Sequence, residues 1–455
     1  MDEKTIQQTA IELIEGRQYT KLKAFLKDQN PYDVASLMEE INDMDLTLVF
    51  RILPKDEASE IFSYLTSEIQ EKLINSFSEN ELRKVLDELF LDDTVDLIEE
   101  MPANVVSRIL KNTDSQTRKR INEVLNYPDD SAGSLMTIEY VFFAKDMTVS
   151  EAMQKIRQVG VVKETIYTCY VTEYRKLIGT IELLDLITAD EETKIEDIMD
   201  TNVIYVNTHD DQEEVANTIR NYDLMAIPVV DNENRIVGII TVDDIIDVIH
   251  EETTEDIQKM AGMTPTDESY FNTSVFSHAK SRIPWLLFLM LSATLSGAVI
   301  NHYENLLVSI PILFSFVPML TGTGGNCGSQ SSTIVIRSLA LDEIDFKDFF
   351  KVMFKEFRIA LLVSFVLAAV NGLRIWFVYR NDADINSALL GFVIGLSIIA
   401  TVILAKTVGC VLPMIAKKLH FDPPIMAAPL ISTIVDACSV FLYCNIAIKI
   451  FDVLG

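Results

Sequence analysis

The sequence predicts a multidomain membrane protein with an all-α superhelical N-terminal domain, a duplicated α/β domain, a connecting helix and a five-span α-helical transmembrane domain. Two observations lead to this fold class: charge is divided unevenly along the chain, and apolar runs of membrane length begin only after residue 282. Residues 1–280 hold 57 of the 68 acidic and 26 of the 38 basic residues, whereas residues 281–455 hold 11 and 12. The first part is therefore strongly acidic and soluble, and such a surface attracts cations and disfavours nucleic acid.

The N-terminal domain, residues 1–130, is predicted to be helical because helix starts recur at a short, regular interval. Between residues 31 and 126 a Ser, Thr, Asp, Asn or Pro precedes an apolar stripe about every 12 residues. Short helices repeated in this way stack into a superhelix that buries a continuous apolar core.

An internal duplication marks residues 131–252. The segment IGTIELLDLI (178–187) aligns with VGIITVDDII (237–246), and each copy is preceded by a strand-like apolar run and a helical pattern. This β–α–β–β–α order resembles a tandem pair of CBS domains.

The two copies differ where adenosine-binding CBS domains hold ribose and phosphate. The second copy has Gly238, Thr241 and Asp244 in the Gly-x-x-Thr-x-x-Asp pattern, whereas the first has Glu182 in place of the Thr. Binding of ATP or another adenine nucleotide and a purely structural role both remain open.

Residues 253–282 are predicted to form a connecting helix from the CBS pair to the membrane. It begins in an acidic run, DVIHEETTEDIQKM (247–260). Like charges one helical turn apart repel each other. Either water and salt screen this run or bound cations neutralise it.

Five apolar runs in residues 283–455 reach the length of about 20 residues that a membrane crossing requires. The predicted spans are 284–303, 308–336, 357–380, 387–412 and 425–451. Basic residues concentrate before the first span and in the loops after spans 2 and 4. This distribution places the N-terminal part in the cytoplasm and the C-terminus outside the cell.

Span 2 is rich in glycine within FVPMLTGTGGNCGSQSSTIVIRSLA (316–340). The glycines and Pro318 predict a break in the helix, which is tolerated at membrane depth only where backbone is buried or lines a cavity. Exposed carbonyls beside Asn326, Ser329 and Gln330 would offer the hard oxygen ligands that Mg2+ and its waters accept. The alternative is a face for close helix packing.

Span 5 contains a deep carboxylate, Asp436, with Ser432, Thr433 and Ser439 on the same helix face. A carboxylate at that depth is costly unless it meets a cation, a proton or a basic side chain. Arg374 or Lys406 could supply such a basic partner.

Asp422 precedes span 5 as a second cation stop or a helix N-cap. Two copies in a symmetric dimer would place a ring of carboxylates around one axis, as cation-selective pores do.

These residues together resemble the MgtE family of bacterial Mg2+ channels over the full length. The resemblance rests on the domain order, on PMLTGTGGNCGSQSSTIVIRSLA and on the DPP…AAP…STIVD pattern. It implies a homodimer in the bacterial plasma membrane, with the pore on the two-fold axis and Asp436 binding hydrated Mg2+. The pore residues it implies are Asp436, Asn326, Gly325, Gly328, Ser329, Gln330, Asp422, Ala428 and Ser432.

The resemblance further implies that cytoplasmic Mg2+ binds acidic residues and closes the pore. By motif position these residues are Glu60, Asp93, Glu213, Asp223, Asp244, Asp247, Glu252, Glu255 and Asp256. Mg2+ would bridge the helical and CBS domains and relieve their mutual repulsion, so the ligand favours the compact, closed state.

Other function classes fit the sequence less well. No GxxxxGK stretch exists for nucleotide hydrolysis, and an intramembrane aspartyl protease would need two facing carboxylates. We therefore expect no enzymatic activity. A secondary carrier that exchanges H+ or Na+ for a divalent cation remains the alternative to a channel.

Overall fold

The computed structural model describes residues 3–266, 270, 273–381, 386–426 and 428–454. The chain divides into two compact units, Met1–Ile249 and His250–Gly455.

The first unit begins with a series of short helices, as the repeated start signals predict. Ser78 shows why: its side chain accepts from the N–H of Glu81, while the Glu81 carboxylate accepts from the N–H of Ser78. The apolar stripes meet in one core that includes Leu37, Phe62 and Leu73. The helices are α1 (Glu3–Glu15), α2 (Tyr19–Lys27), α3 (Pro31–Glu40), α4 (Asp43–Ile52), α5 (Lys55–Ser63), α6 (Ser67–Ser76), α7 (Glu79–Leu86), α8 (Leu91–Glu100), α9 (Ala103–Asn112) and α10 (Ser115–Val124).

The rest of the first unit contains two similar α/β halves, so the duplication is confirmed. Each half has a three-stranded sheet in which a parallel pair is followed by an antiparallel pair. The elements are α11 (Ala132–Leu135), β1 (Phe142–Ala144), α12 (Val149–Val159), β2 (Thr168–Glu173), β3 (Lys176–Glu182), α13 (Leu183–Thr188), α14 (Ile195–Ile198), β4 (Val206–Asn207), α15 (Gln212–Tyr222), β5 (Ala226–Val230), β6 (Ile236–Thr241) and α16 (Val242–Met260).

The expectation of a helix through 253–282 is wrong, because α16 ends at Met260. Gly262 adopts a left-handed conformation with φ +72°. The N–H of Gly262 donates to the Lys259 carbonyl and that of Met263 to the Gln258 carbonyl. This pair of bonds is the Schellman termination, which favours glycine at the left-handed position. The next helix starts only at Val275.

The second unit is built on long apolar helices. They are α17 (Val275–His302), α19 (Val317–Ala340), α20 (Phe349–Tyr379), α21 (Ser387–Lys418) and α22 (Ala428–Leu454), and the short α18 (Glu304–Ser309) lies between α17 and α19. Among the described residues, four segments are long and apolar enough to cross a membrane: Val275–His302, Phe346–Tyr379, Ser387–Lys418 and Pro423–Phe451.

Helix α19, in the region of predicted span 2, is not among those four segments. Its glycines and polar side chains lower its mean hydropathy, and it packs against α21 and α22. The predicted break in this helix is also wrong, since α19 is continuous over Val317–Ala340. Pro318 lies in its first turn, where an N–H would lack a helical partner in any case.

Candidate functional site

The glycines of α19 let it approach α22 closely. A methyl group on Gly324 would lie 2.7 Å from Cγ1 of Val435, and one on Gly328 would lie 2.7 Å from Cγ2 of Ile431. Both distances are too short for a real contact, so any side chain here would force the helices apart. The structure thus favours the packing interpretation for these two glycines.

Asp436 lies on α22 next to this contact. It is partly buried, and no residue that the structure describes forms a hydrogen bond or an ion pair with it. The proposed basic partners are engaged elsewhere: Lys406 bonds to Ser331 and Glu356, and the Arg374 guanidinium lies over the Phe316 ring. The carboxylate therefore remains available to a cation or to water.

The solvent-accessible face of α19 is mostly polar, although Ile334 on the same face is 60% exposed. Gly322, Asn326, Gln330, Thr333 and Arg337 are all exposed and recur at intervals of three or four residues, so they form one stripe along the helix. We call these five residues the polar stripe of α19. Facing lipid would be costly for such a stripe.

Ser432 connects the polar stripe of α19 to Asp436. It lies one turn before Asp436, and its Oγ would be 3.1 Å from a methyl group on Gly325, the neighbour of Asn326. The face of α22 that carries Asp436 therefore borders the stripe. The Ser329 hydroxyl donates to the Gly325 carbonyl at 2.8 Å. Ala428 starts α22, and its side chain lies outside the described residues.

A buried group of charged side chains joins three helices of this unit, and no local sequence pattern indicates it. Ser331 on α19 donates to Glu356 Oε2 on α20 at 2.6 Å. Lys406 Nζ on α21 lies 2.9 Å from Ser331 Oγ and 3.4 Å from Glu356 Oε2. Glu356 and Lys406 lie 50 residues apart in sequence. The only sign that each charge needs a partner is the apolar sequence around it, and that does not identify the partner.

An acidic cluster surrounds Lys259 at the end of α16. Its members are Glu252, Glu255, Asp256 and Asp422, and we call it the second acidic cluster. Lys259 Nζ lies 2.6 Å from both Glu255 Oε2 and Asp422 Oδ2. Burial and the charge of Asp422 raise the pKa of Asp256 to about 6. Asp422, expected as a cation stop or an N-cap, is thus held in an ion pair.

A first acidic cluster lies between α8 and the CBS pair in the first unit. It contains Asp92, Asp93, Glu164, Asp243 and Asp244. Burial and the charge of Asp244 raise the pKa of Asp93 to about 6, and the same two causes raise that of Glu164 to about 7. Three of the five were absent from the predicted set, although the Asp92–Asp93 pair was visible in the sequence.

Of the other acidic residues predicted to bind Mg2+, Glu60 and Asp247 lie near the first acidic cluster. Tyr64 connects Glu60 to it, because burial and the charges of Glu60, Asp243 and Asp93 raise the pKa of its hydroxyl. Asp247 is close enough to raise the pKa of Asp244, after burial and Asp243. Glu213 and Asp223 mark opposite ends of α15, about 15 Å apart at 1.5 Å per residue.

No three His, Cys, Asp or Glu side chains within the described residues converge tightly enough to chelate a metal ion. The acidic clusters could still hold Mg2+ through its waters, since this ion usually keeps several of them.

The second-copy nucleotide pattern is occupied by internal contacts. Thr241 donates to Asp244 Oδ2 at 2.6 Å, and a methyl group on Gly238 would lie 2.7 Å from the Thr137 carbonyl oxygen. An open cleft of about 420 Å³ lies instead beside β2 and β3 of the first copy and is closed by residues 222–228 of the second, with Tyr167, Asn202 and Pro228 in its lining. We call it the first-copy cleft. Its charged lining residues are Glu182, Asp200 and Asp223.

Comparison with known families assigns most of the chain. The MgtE intracellular N domain matches residues 29–130, the CBS domain matches 132–192 and 195–251, and the MgtE divalent cation transporter domain matches 317–446. The magnesium transporter MgtE of Thermus thermophilus is 35% identical over 431 residues, 94% of each chain. That of Bacillus subtilis is 34% identical over 435 residues, 93% of this chain and 95% of its own.

Two solved structures resemble the N-terminal part. The soluble part of a magnesium transporter aligns with a TM-score of 0.52 at 31% identity, covering 55% of this chain and 99% of its own. The cytosolic domain of the Mg2+ channel MgtE in complex with ATP aligns with a TM-score of 0.50 at 38% identity, covering 52% of this chain and 99% of its own.

Proposed function

This chain belongs to the MgtE family of divalent cation transporters, and we propose that it conducts Mg2+ into bacteria through a pore shared by two copies. The pore would run along a two-fold axis in the plasma membrane, lined by α19 and α22 of each copy. Relatives named magnesium transporters cover nearly the whole chain and support Mg2+ as the cargo.

The unpaired carboxylate of Asp436 carries this proposal. A charged group inside an apolar helical bundle is expensive unless it faces a water-filled path or a counter-ion. Its border with the polar stripe of α19 supplies such a path once lipid is excluded. Two stripes facing each other across a dimer axis would exclude lipid and enclose water.

Two Asp436 carboxylates on that axis would attract a divalent cation from opposite sides. Mg2+ sheds its waters reluctantly, so the ion would pass with most of its hydration shell. Asn326 and Gln330 on the stripe, with Ser432 on α22, would accept or donate hydrogen bonds to those waters. A site of this kind needs no chelating triad within one chain.

Helix α19 would also cross the membrane in this arrangement, which raises the number of crossings from four to five. Its buried face packs on α21 and α22 and its polar face lines the pore, so little of it would meet lipid. With five crossings the N-terminal acidic unit would lie in the cytoplasm and the C-terminus outside, as the basic loops favour.

The acidic clusters would make this channel self-limiting. Without Mg2+, like charges in the first acidic cluster repel across the boundary between α8 and the CBS pair. Hydrated Mg2+ bound there would neutralise them and stabilise the compact arrangement. Glu213 and Asp223, too far apart to share one ion within a copy, would meet acids of the second copy.

An adenine nucleotide would bind in the first-copy cleft rather than at Gly238, Thr241 and Asp244. The ATP complex of the similar cytosolic domain supports a nucleotide in this part of the chain. The cleft offers apolar contact for a base, but its three carboxylates oppose bare phosphates. We propose that the nucleotide enters as its Mg2+ complex.

Reconstitution into liposomes tests the proposed function. Purified protein should admit Mg2+ to a fluorescent indicator inside, and planar-bilayer recordings should show discrete current steps that disappear as Mg2+ rises on the side of the acidic unit. A secondary carrier would instead show uptake that requires an H+ or Na+ gradient, without current steps. If no Mg2+ enters the liposomes either with or without an H+ or Na+ gradient, the proposal is contradicted.

A further inference from the structure

A second cleft of about 420 Å³ lies between the helical domain and the CBS pair. It borders the first acidic cluster, because its lining residues Leu91 and Lys163 adjoin Asp92 and Glu164 in sequence, and it shares no lining residue with the first-copy cleft. Helix α10 contributes Arg120 and Glu123 to it, and Tyr127 follows that helix. The CBS pair contributes Glu139, Tyr140, Phe142, Lys163 and Arg175. We call this space the interdomain cleft.

The bases of the interdomain cleft have no acidic partners. Arg120, Lys163 and Arg175 form no ion pair and no side-chain hydrogen bond with any residue that the structure describes. In a chain with a net charge of −30, unpaired bases lining one cleft are unexpected.

The two acids of the cleft are already engaged. Glu123 lies 3.6 Å from Lys119. Glu139 Oε2 accepts from Thr137 Oγ1 at 2.7 Å and from the Ile138 N–H at 3.1 Å. They therefore leave the charge of Arg120, Lys163 and Arg175 uncompensated.

A fourth base strengthens the positive potential nearby. Lys155 donates to the Phe142 carbonyl at 2.7 Å and lies over the Phe142 ring. Burial and the positive charge of Lys163 lower the pKa of Lys155. An anion in the cleft would relieve this repulsion.

We propose that the interdomain cleft binds a phosphate chain, carried by a nucleoside triphosphate or by inorganic polyphosphate. Arg and Lys side chains bind phosphate oxygens through charge-assisted hydrogen bonds, with Arg suited to two-pronged contacts. The cleft also has aromatic side chains on which a nucleobase can stack, namely Tyr127, Tyr140 and Phe142. The first-copy cleft, with three carboxylates and no Lys or Arg among its described lining residues, has the opposite charge character.

Calorimetry on the full-length protein in detergent, with free Mg2+ buffered at a concentration that holds the helical domain and the CBS pair together, tests this site. Tripolyphosphate is the main probe, because it has no nucleobase that could bind in the first-copy cleft. ATP and adenosine are compared with it. Tripolyphosphate should bind, saturating adenosine should leave the tripolyphosphate Kd unchanged, and added NaCl should weaken tripolyphosphate binding. A much tighter affinity for ATP that is lost when Arg120, Lys163 and Arg175 are replaced would identify the nucleotide as the source, and an equal or weaker affinity would identify inorganic polyphosphate.

A triple variant, Arg120→Gln with Lys163→Gln and Arg175→Gln, should raise the Kd for tripolyphosphate at least about tenfold, since three charge-assisted contacts are lost. The matched control, Lys21→Gln with Lys23→Gln and Arg220→Gln, removes three exposed bases outside the cleft and should leave that Kd unchanged. No tripolyphosphate binding to the unaltered protein, or equal weakening in both variants, would overturn the proposal. None of the cleft residues belongs to the proposed pore. The triple variant should therefore still conduct Mg2+ into liposomes, which separates failure of this site from failure of the transport function.

Discussion

Lys259 and Asp422, 163 residues apart in sequence, form an ion pair in which Nζ and Oδ2 are separated by 2.6 Å. The pair links the end of α16 to the segment just before α22, the helix that carries Asp436. The ammonium group also contacts Glu255, so it occupies the centre of the second acidic cluster. A cation that entered this cluster would have to compete with it.

Lys259→Gln should make the channel close at a lower cytoplasmic Mg2+ concentration. The substitution leaves Glu255 and Asp422 without their basic partner, so Mg2+ in the second acidic cluster no longer competes with an ammonium group. A gain of about 1 kcal/mol corresponds to roughly a fivefold lower closing concentration in bilayer recordings. Lys280→Gln removes an exposed base of α17 and should change nothing. An unchanged or higher closing concentration for Lys259→Gln would rule out this competition.

Stability of the metal-free protein should fall as pH rises from about 4 to about 7. The raised pKa values of Asp93 and Glu164 mean that the folded state binds more protons than the unfolded state in this range. The slope of unfolding free energy against pH is then negative, and the repulsion from Asp243, Asp244 and Glu139 is fully developed above about pH 7.

Thermal unfolding with EDTA should therefore show a lower Tm at pH 8 than at pH 5, and Mg2+ should raise Tm more at pH 8. Asp93→Asn should flatten this pH dependence, whereas Asp28→Asn, at an exposed site on the N-terminal helices, should keep it. A Tm that rises across the same pH range in the unaltered protein would contradict the assignment of the first acidic cluster.

Gly328→Ala should destabilise the second unit. Its methyl group would lie 2.7 Å from Ile431 Cγ2 and 3.2 Å from the Ala405 carbonyl oxygen, so α19 would have to shift against two helices. Overpacking of this kind costs about 1–3 kcal/mol. On the same helix, Gly322→Ala meets no atom within 4 Å and serves as the control. Equal Tm values for the two detergent-solubilised variants would show that the close approach is unimportant.

Lys406→Met should be far more damaging than loss of the whole buried pair. It leaves Glu356 buried beside Ser331 without a counter-charge, at a cost of about 3–5 kcal/mol. The double variant Lys406→Met with Glu356→Gln removes both charges and should regain most of the lost stability. If the double variant unfolds as readily as the single one, the two residues do not act as a pair.

Local signals in the sequence were sufficient for the helical domain and the CBS pair. Helix caps such as Ser78 act within one turn, and the aligned segments 178–187 and 237–246 reveal the two CBS copies. The end of α16 was missed although local signals mark it: Gly262 and Pro265 follow the last turn, and both disfavour continuation of a helix.

The continuity of the helix in span 2 could not be predicted from local signals. Glycines weaken an isolated helix in water, but in α19 they allow Val435 and Ile431 to pack where larger side chains would clash. That compensation comes from α22, roughly a hundred residues later. The pairing of Lys259 with Asp422 and of Lys406 with Glu356 is equally non-local, since each charge finds its partner only in the folded chain.

The central claim is that Asp436 faces the ion path, and its removal tests this most directly. Cells that depend on this protein for Mg2+ should lose uptake with Asp436→Ala, while the purified variant keeps its dimer and its Tm. Glu304→Gln, which alters an exposed acid elsewhere in the second unit, should transport normally. Normal Mg2+ uptake by folded Asp436→Ala protein would contradict the account.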